Sequence, residues 1–143
     1  MAATPNDADR LLGFWRLVSF RRRFEDTGEV IDVYGPDPRG AIVFGAGRMA
    51  VVIAASGRAP PEDEAGMACA FRGMMAYTGR YTVEGDRIVT EVDAAWHPAW
   101  EDTRQPRFFK LEGDRLTLTS EVRGHPSYPG RWMRSIVDWA REP

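Results

Sequence analysis

Cysteine and histidine are scarce in this sequence, which has one cysteine, Cys69, and two histidines, His97 and His125. A single cysteine cannot form an intramolecular disulfide, so a disulfide-stapled secreted scaffold is excluded. The histidines fall in separate loops, and no residues have the spacing of a zinc site. We therefore expect neither a metal nor another cofactor, and we interpret Cys69 as a small buried residue of a helix.

Long apolar runs and an excess of one charge are also absent. No stretch approaches the roughly 20 apolar residues of a membrane-spanning helix, and the first ten residues lack the apolar run of a secretory signal. The 19 basic and 21 acidic residues are nearly balanced, so nothing favours a polyanionic partner. We expect a cytoplasmic protein with no nucleic acid partner and no membrane span.

Short segments with a period of two fill most of the chain and are separated by turn sequences, a pattern typical of antiparallel strands. The length of 143 residues predicts one domain, residues 11–143, after a disordered tail, residues 1–10. The expected strands are 13–24, 29–33, 41–44, 48–54, 76–83, 87–95, 107–111, 115–122 and 131–138. About eight or nine such strands can close into a small barrel, which leaves no free edge.

One helix is expected between these strands, from Glu62 to Met75, because acidic residues follow two prolines there. Met67, Phe71 and Met74 recur at helical spacing and give the helix an apolar face. We expect this face to pack across the sheet or across a barrel mouth, and in the second position the helix would act as a lid. The predicted fold is all-β, an antiparallel up-and-down β-barrel with one helix between strands.

Several segments together resemble the lipocalin-like domain family of bacteria and fungi. They are the opening Leu-Gly-Phe-Trp-Arg-Leu-Val-Ser at 12–19, the loop Tyr-Gly-Pro-Asp-Pro-Arg-Gly at 34–40, and the segments 47–49, 77–83 and 96–100. The resemblance covers residues 11 to 134 and implies a barrel with an internal cavity. It allows a carrier of hydrophobic molecules or a cofactor-free enzyme of a natural-product pathway. Members often carry histidines where this chain has Thr90 and Glu91, so histidine chemistry of relatives does not transfer to that strand.

Trp15, in the Gly-x-Trp opening, is expected to close the narrow end of the barrel. An arginine of the last strand, Arg134, is expected to stack on its ring. We assign this pair a structural role.

Tyr77, Gly79 and Tyr81 share one face of their strand. Gly79 would leave room between the two phenol rings for a ligand, in which case the face lines a cavity. The alternative is that both tyrosines are core residues with tethered hydroxyls.

Glu91 and Asp93 also share a face. If that face is outside, they are ordinary surface charges, which is the more common situation for carboxylates. If it is inside, Arg107 on the next strand would be the natural partner, and the pair could bind an acidic or enolate group.

Trp96, His97 and Trp100 lie in a connection that we place at a barrel rim. Aromatic loops in such a position often contact ligands. The alternative is a hydrophobic flap that only covers the end of the barrel.

Two functions of different classes are consistent with these residues. The first is a binding protein for a small hydrophobic or aromatic metabolite, whose expected ligand-binding residues are Met67, Phe71, Tyr77, Tyr81, Trp96, Trp100 and Arg107. The second is a cofactor-free isomerase, cyclase or dehydratase acting on a polyketide- or terpenoid-like substrate. Its catalytic residues would be Tyr77 or Tyr81 as acid, Glu91 or His97 as base, and Arg107 as oxyanion stabiliser. A barrel with only a structural role, and a homodimer, are further expectations that stay open.

Overall fold

Ten strands and two short α-helices make up the described part of the chain, residues 7–125 and 128–143 of a computed structural model. The elements in chain order are α1 (Asp7–Leu11), β1 (Gly13–Phe24), β2 (Val30–Asp32), β3 (Arg39–Phe44), β4 (Arg48–Ala54), α2 (Glu64–Arg72), β5 (Met74–Glu84), β6 (Arg87–Ala95), a 3-10 helix (Pro98–Trp100), β7 (Arg104–Glu112), β8 (Arg115–Thr119), β9 (Arg123–His125) and β10 (Tyr128–Arg141). Among these described elements, no helix has the length and apolar character needed to cross a membrane.

The strands form a closed antiparallel barrel. Eight of them follow one another around it in the order β1-β3-β4-β5-β6-β7-β8-β10, and β10 pairs with β1 to close the ring. The short strands β2 and β9 extend the sheet beyond the ring. The predicted all-β, lipocalin-like barrel is therefore confirmed.

The strand boundaries follow the alternating pattern where that pattern is strong. Strands β1, β4 and β6 have the predicted bounds. Strand β9 was not expected, because its three residues are too few to show alternation. Strand β7 begins at Arg104, three residues before the predicted start and ahead of Pro106, which lies opposite Val89 in the ladder. Strand pairing thus overrides the local effect of a proline.

The helix between β4 and β5 is shorter than predicted. Its start is fixed by Asp63, whose carboxylate accepts a hydrogen bond from the Gly66 amide at 2.7 Å, and it ends at Gly73. The predicted end at Met75 is wrong, because Met74 and Met75 already pair with β4. No residue of α2 is buried, so the expectation of a buried Cys69 is wrong as well.

A second helix, α1, occupies residues 7–11 of the chain, part of the segment that we expected to be a disordered tail. Residues 1–6 lie outside the described part. Leu11 at the end of α1 is fully buried. Helix α1 therefore packs against one end of the barrel.

Trp15 closes that same end, as expected, but its stacking partner differs. The Trp15 indole N–H donates to the Leu11 carbonyl at 2.8 Å, and the guanidinium of Arg141 lies 4.1 Å from the ring centroid. The prediction of Arg134 is wrong, because the register places Arg141 opposite Trp15 and Arg134 opposite Arg23. Arg134 instead bonds Glu25 at 3.1 Å. We call this the closed end.

Candidate ligand-binding site at the open end of the barrel

The two ends of the barrel differ in how tightly their interior is packed. At the closed end, the inward side chains of Trp15, Trp139 and Leu116 are 0%, 1% and 0% exposed. At the opposite end, the inward side chains of Arg22 and Arg107 are only half-buried. Because these side chains point into the barrel, their exposure means that solvent reaches the interior from this side. We call it the open end.

Four rings gather at the open end and form what we call the aromatic cluster, defined by Phe71, Tyr77, Trp96 and Trp100. Tyr77 of β5 and Trp100 of the 3-10 helix have ring centroids 5.5 Å apart, and Trp100 lies 5.5 Å from Trp96. Phe71 of α2 lies 6.2 Å from Trp96. Helix, strand and rim loop thus contribute to one apolar surface, which brings together four of the seven expected ligand-binding residues.

His97 lies on the rim beside this cluster. Its Nδ1 accepts a hydrogen bond from the Ala99 amide at 3.1 Å and so begins the 3-10 helix. Its ring centroid is 5.6 Å from that of Phe71 and 5.7 Å from that of Trp96. The side chain is exposed, so His97 is a rim residue with a structural contact of its own.

Arg107 is held under Trp100 by a short chain of hydrogen bonds. The Thr103 hydroxyl donates to the Trp100 carbonyl, and the Gln105 amide donates to the Thr103 hydroxyl at 3.0 Å. The Gln105 amide oxygen accepts from Arg107 at 3.4 Å, and the Pro106 carbonyl accepts at 2.8 Å. The Arg107 guanidinium carbon is then 6.0 Å from the Trp100 ring centroid. These hydrogen bonds connect the rim loop to the inward face of β7.

Gln105 and Arg123 are site residues that sequence reasoning missed. Gln105 is 8% exposed and lies two positions before Arg107, so the period of two could have placed it on the inward face. Arg123 lies opposite Met133, which is 2% exposed, and directly paired residues of antiparallel strands share a face. No local signal identifies Arg123, because β9 is too short to show a pattern.

The open end carries positive charge as well as aromatic surface. Burial lowers the pKa of Arg123 from its ordinary value, and the nearby charge of Arg107 lowers it further, whereas Glu121 and Tyr77 act in the opposite direction. Burial also lowers the pKa of Arg22 and raises the pKa of Tyr34, which packs edge to face on Phe20 at 5.0 Å. Desolvation disfavours a charged form, which explains these directions.

Two hydrogen-bond donors of the aromatic cluster are unused. The Trp96 indole nitrogen is buried without a partner among the described residues. The Tyr77 hydroxyl also makes no hydrogen bond within residues 7–125 and 128–143, but its oxygen is not fully buried and stays accessible to solvent. The unpaired, buried indole N–H of Trp96 raises the free energy of the folded protein, and an acceptor atom of a ligand would offset that cost.

Tyr81 lies away from the aromatic cluster, although we expected it to line the same cavity. Its hydroxyl donates to the Gly45 carbonyl at 2.7 Å, in the turn between β3 and β4 at the closed end. Its ring packs edge to face on Phe44 at 5.2 Å. Burial raises its pKa, and the negative charge of Asp9 adds to the effect. The interpretation of Tyr81 as a core residue with a tethered hydroxyl is the one the structure supports.

Gly79 does not leave room for a ligand. A Cβ atom at this position would lie 2.1 Å from the Glu91 carbonyl oxygen, so the space beside Gly79 is filled by the backbone of β6. The glycine is required because β5 and β6 approach each other closely at a bulge, where Thr78 pairs with Ala94 and Gly79 with Val92.

Glu91 and Asp93 lie on the outer face of the barrel. Glu91 is exposed and lies 3.5 Å from Arg104, while Asp93 accepts hydrogen bonds from Thr78 and Arg48. The favoured interpretation as ordinary surface charges therefore holds, and the alternative pairing with Arg107 does not, because Arg107 lies opposite the buried Ile88 and faces inward. Glu91 therefore cannot act as a base within the barrel. Met67 is also apart from the cluster, since its side chain is 58% exposed on α2.

Open depressions occur on the outer surface of the described part of the chain. One, of about 580 Å³, lies between β1 and the loop preceding β3, and another, of about 330 Å³, adjoins Glu91 and Asp93. Neither includes a residue of the aromatic cluster. In the described part of the chain, no group of three or more histidine, cysteine, aspartate or glutamate side chains is arranged to hold a metal ion.

A closed antiparallel barrel of eight strands is the architecture of a lipocalin-like protein. The model of the family described as lipocalin-like domain matches residues 12–142, and the chain belongs to this family. It is also similar to the 4'-hydroxy-3'-methoxypropiophenone carrier protein ppsC of Aspergillus oryzae. The two are 33% identical over 86 residues, which cover 54% of this chain and 75% of that protein.

Proposed function

We propose that this protein binds a small, largely apolar aromatic molecule at the open end of its barrel. The observation that carries the proposal is the aromatic cluster. In it, the ring centroid of Trp100 lies 5.5 Å from that of Tyr77 and 5.5 Å from that of Trp96. Planar rings offer large apolar area and favourable offset or edge contacts to another aromatic molecule. The related carrier from Aspergillus oryzae supports the same class of ligand, because the molecule in its name is an aromatic ketone.

Polar anchors at the site suit such a ligand. The unpaired Trp96 indole nitrogen and the Tyr77 hydroxyl can donate to a carbonyl, methoxy or phenol oxygen. Ligand sites are commonly apolar pockets with a few convergent polar groups that fix orientation. Phe71 is the member of the cluster that α2 contributes, and no residue of α2 is buried. We therefore expect α2 to move when a ligand enters, because segments with few buried contacts open at low cost in free energy.

The first test is a titration of the purified protein with 4'-hydroxy-3'-methoxypropiophenone, followed by tryptophan fluorescence and by thermal unfolding. Binding is expected to quench the fluorescence of the cluster and to raise the midpoint of unfolding by mass action. Replacing Trp100 by leucine should weaken binding about tenfold or more, because a buried aromatic anchor carries much of the binding free energy. Trp132, 62% exposed and next to the inward-facing Met133 on β10, lies outside the aromatic cluster and is the matched control, so Trp132→Leu should leave affinity unchanged.

The same incubation distinguishes a carrier from an enzyme. A carrier returns the ligand chemically unchanged, as mass spectrometry of the recovered molecule would show. A converted product would support the isomerase, cyclase or dehydratase alternative, with Tyr77, His97 and Arg107 as the remaining candidate groups. Absence of any binding by this molecule and by a panel of aromatic ketones, phenols and polyketide-like aromatics would contradict the proposed function.

A further inference from the structure

We propose that the ligand of this site carries one ionised acidic group, a carboxylate or a phenolate, which Arg107 and Arg123 bind inside the barrel. Its ring then packs on the aromatic cluster above. The inference rests on the proposed function, since it concerns the same site, and it adds the charge of the molecule that the site selects.

Both arginines face the interior at neighbouring places. Arg107 lies beneath the Trp100 ring, 6.0 Å from its centroid, on the inward face of β7. Arg123 reaches the same interior from β9, where it is paired with the buried Met133. Their charges act on each other, and Tyr77 of the aromatic cluster also acts on Arg123. The two guanidinium groups and the cluster thus belong to one site.

In the part of the chain that the structure describes, neither arginine has an acidic partner. Within the described residues, no carboxylate lies at salt-bridge distance from Arg107 or Arg123. Several arginines on the outer face do have such partners, for example Arg21 with Asp138 and Arg104 with Glu84. Glu121 is the acid that acts on Arg123, but it is exposed and its salt bridge is with Arg87, at 3.4 Å. Two half-buried like charges on the inward faces of β7 and β9 therefore act on each other without a carboxylate partner among the described residues.

This arrangement is unfavourable when empty and favourable when an anion occupies it. Charged groups withdrawn from water are normally paired, because their desolvation is otherwise uncompensated. An acidic group between the two guanidinium groups would offset their repulsion and accept charge-assisted hydrogen bonds, which arginine makes in a planar, paired geometry. Gln105 and the Pro106 carbonyl accept hydrogen bonds from one terminal nitrogen of Arg107. The other N–H groups of its guanidinium are available to a ligand.

The test uses two fluorescent probes that differ only in charge. Anilinonaphthalene sulfonate carries a sulfonate, and N-phenylnaphthylamine is the same three-ring arylamine without it. We expect the wild-type protein to bind both probes and to bind the sulfonate more tightly. Arg107→Gln and Arg123→Gln should each weaken the sulfonate about tenfold, the usual effect of losing a charge-assisted hydrogen bond, with little change for the neutral amine.

Two control variants exclude other causes. Arg23→Gln removes the same charge from the exposed outer face of β1, so it should leave the preference for the sulfonate intact. Arg107→Lys keeps the positive charge and should restore part of the preference if the charge, rather than the folding of the variant, matters. Near-ultraviolet circular dichroism checks that each variant keeps its packed core.

The outcomes separate this inference from the function on which it rests. Equal affinity for the two probes, or equal loss in Arg23→Gln and Arg107→Gln, would overturn the anion site while leaving a neutral aromatic site in place. Failure of both probes to bind the wild-type protein would overturn the aromatic site as well. A preference for the sulfonate that is lost only in the Arg107 and Arg123 variants supports the proposal.

Discussion

The guanidinium of Arg141 lies 4.1 Å from the centroid of the Trp15 ring and joins the last strand to the first. It also donates a hydrogen bond to the Leu12 carbonyl at 2.9 Å, while the Trp15 indole holds the Leu11 carbonyl. The carbonyls at the end of α1 are thereby satisfied by side chains of β1 and β10. Trp15 and Arg141 thus connect β1 to β10, bind the last carbonyls of α1 and cover the core at the closed end.

Loss of this arginine should destabilise the protein more than loss of Arg134. We expect Arg141→Met to lower the free energy of unfolding by about 2 kcal/mol, because a stacked cation and its hydrogen bonds are removed together. Arg134→Met removes only a surface ion pair with Glu25 and should cost about 1 kcal/mol or less. Urea unfolding measures both. Equal losses, or a larger loss for Arg134, would contradict the structural role of Arg141.

Gly79→Ala should strongly destabilise the barrel. The new methyl group would meet the Glu91 carbonyl oxygen at 2.1 Å, and a strand backbone in the middle of a sheet cannot easily move away. We expect a loss of about 2 kcal/mol or more, at the upper end of what overpacking costs. Gly45→Ala is the matched control, since its nearest atom would be 3.5 Å away. Thermal unfolding of both variants checks this, and a Gly79→Ala protein as stable as Gly45→Ala would show that the bulge can relax.

Asp93 should contribute to stability in a manner that depends on pH. The hydrogen bond from Thr78 lowers the pKa of Asp93 most, and the hydrogen bond from Arg48 lowers it further. A group with a lowered folded-state pKa stabilises the fold above its unfolded pKa, and this contribution is lost as pH falls through the folded value. The stability difference between wild type and Asp93→Asn should therefore be present near neutral pH and shrink in acid. Asp37→Asn, an exposed residue without a salt bridge in the described part of the chain, should show no such trend. A difference that stays constant across the acid range would contradict the assignment.

Cys69 should react with a thiol reagent in the native protein. It is exposed on α2, a helix in which no residue is buried, so modification needs no unfolding. We expect reaction without a lag in buffer, at a rate that changes little in denaturant after correction for the reagent. Reactivity that appears only above the unfolding midpoint would mean that α2 packs its face against the barrel. The same thiol offers a single labelling position next to Phe71 for following movement of the helix on ligand binding.

Glu91→Gln should leave ligand affinity, and any conversion of the ligand, at the wild-type level. The carboxylate lies on the outer face beside Arg104, on the other side of the sheet from Arg107. Tyr77→Phe is the informative comparison, because it removes a hydroxyl from the aromatic cluster while keeping the ring. Fluorescence titration measures the ligand affinity of both variants, and mass spectrometry of the recovered ligand measures any conversion. A marked effect of Glu91→Gln with none of Tyr77→Phe would place the site on the outside of the barrel.

The sequence by itself determined the class of fold and much of its layout. An alternating pattern along β4, β6 and much of β1 is sufficient to predict the bounds of these strands, because side chains of a strand alternate between two faces. The rarity of unpaired buried carboxylates favoured an outer position for Glu91 and Asp93. Sequence reasoning also named Tyr77, Trp96, Trp100 and Arg107 among the candidates to line a cavity.

Only the tertiary structure decided which of these residues meet. The choice of Arg141 over Arg134 depends on the register between β1 and β10, which a period of two leaves open. The space at Gly79 is filled because a bulge brings the backbone of β6 close to it. Tyr81 is separated from Tyr77 because its hydroxyl is bound by a turn at the closed end, and Arg123 joins Arg107 only when β9 pairs with β10. Each of these contacts joins residues through strand pairing and barrel closure, for which local sequence carries no signal.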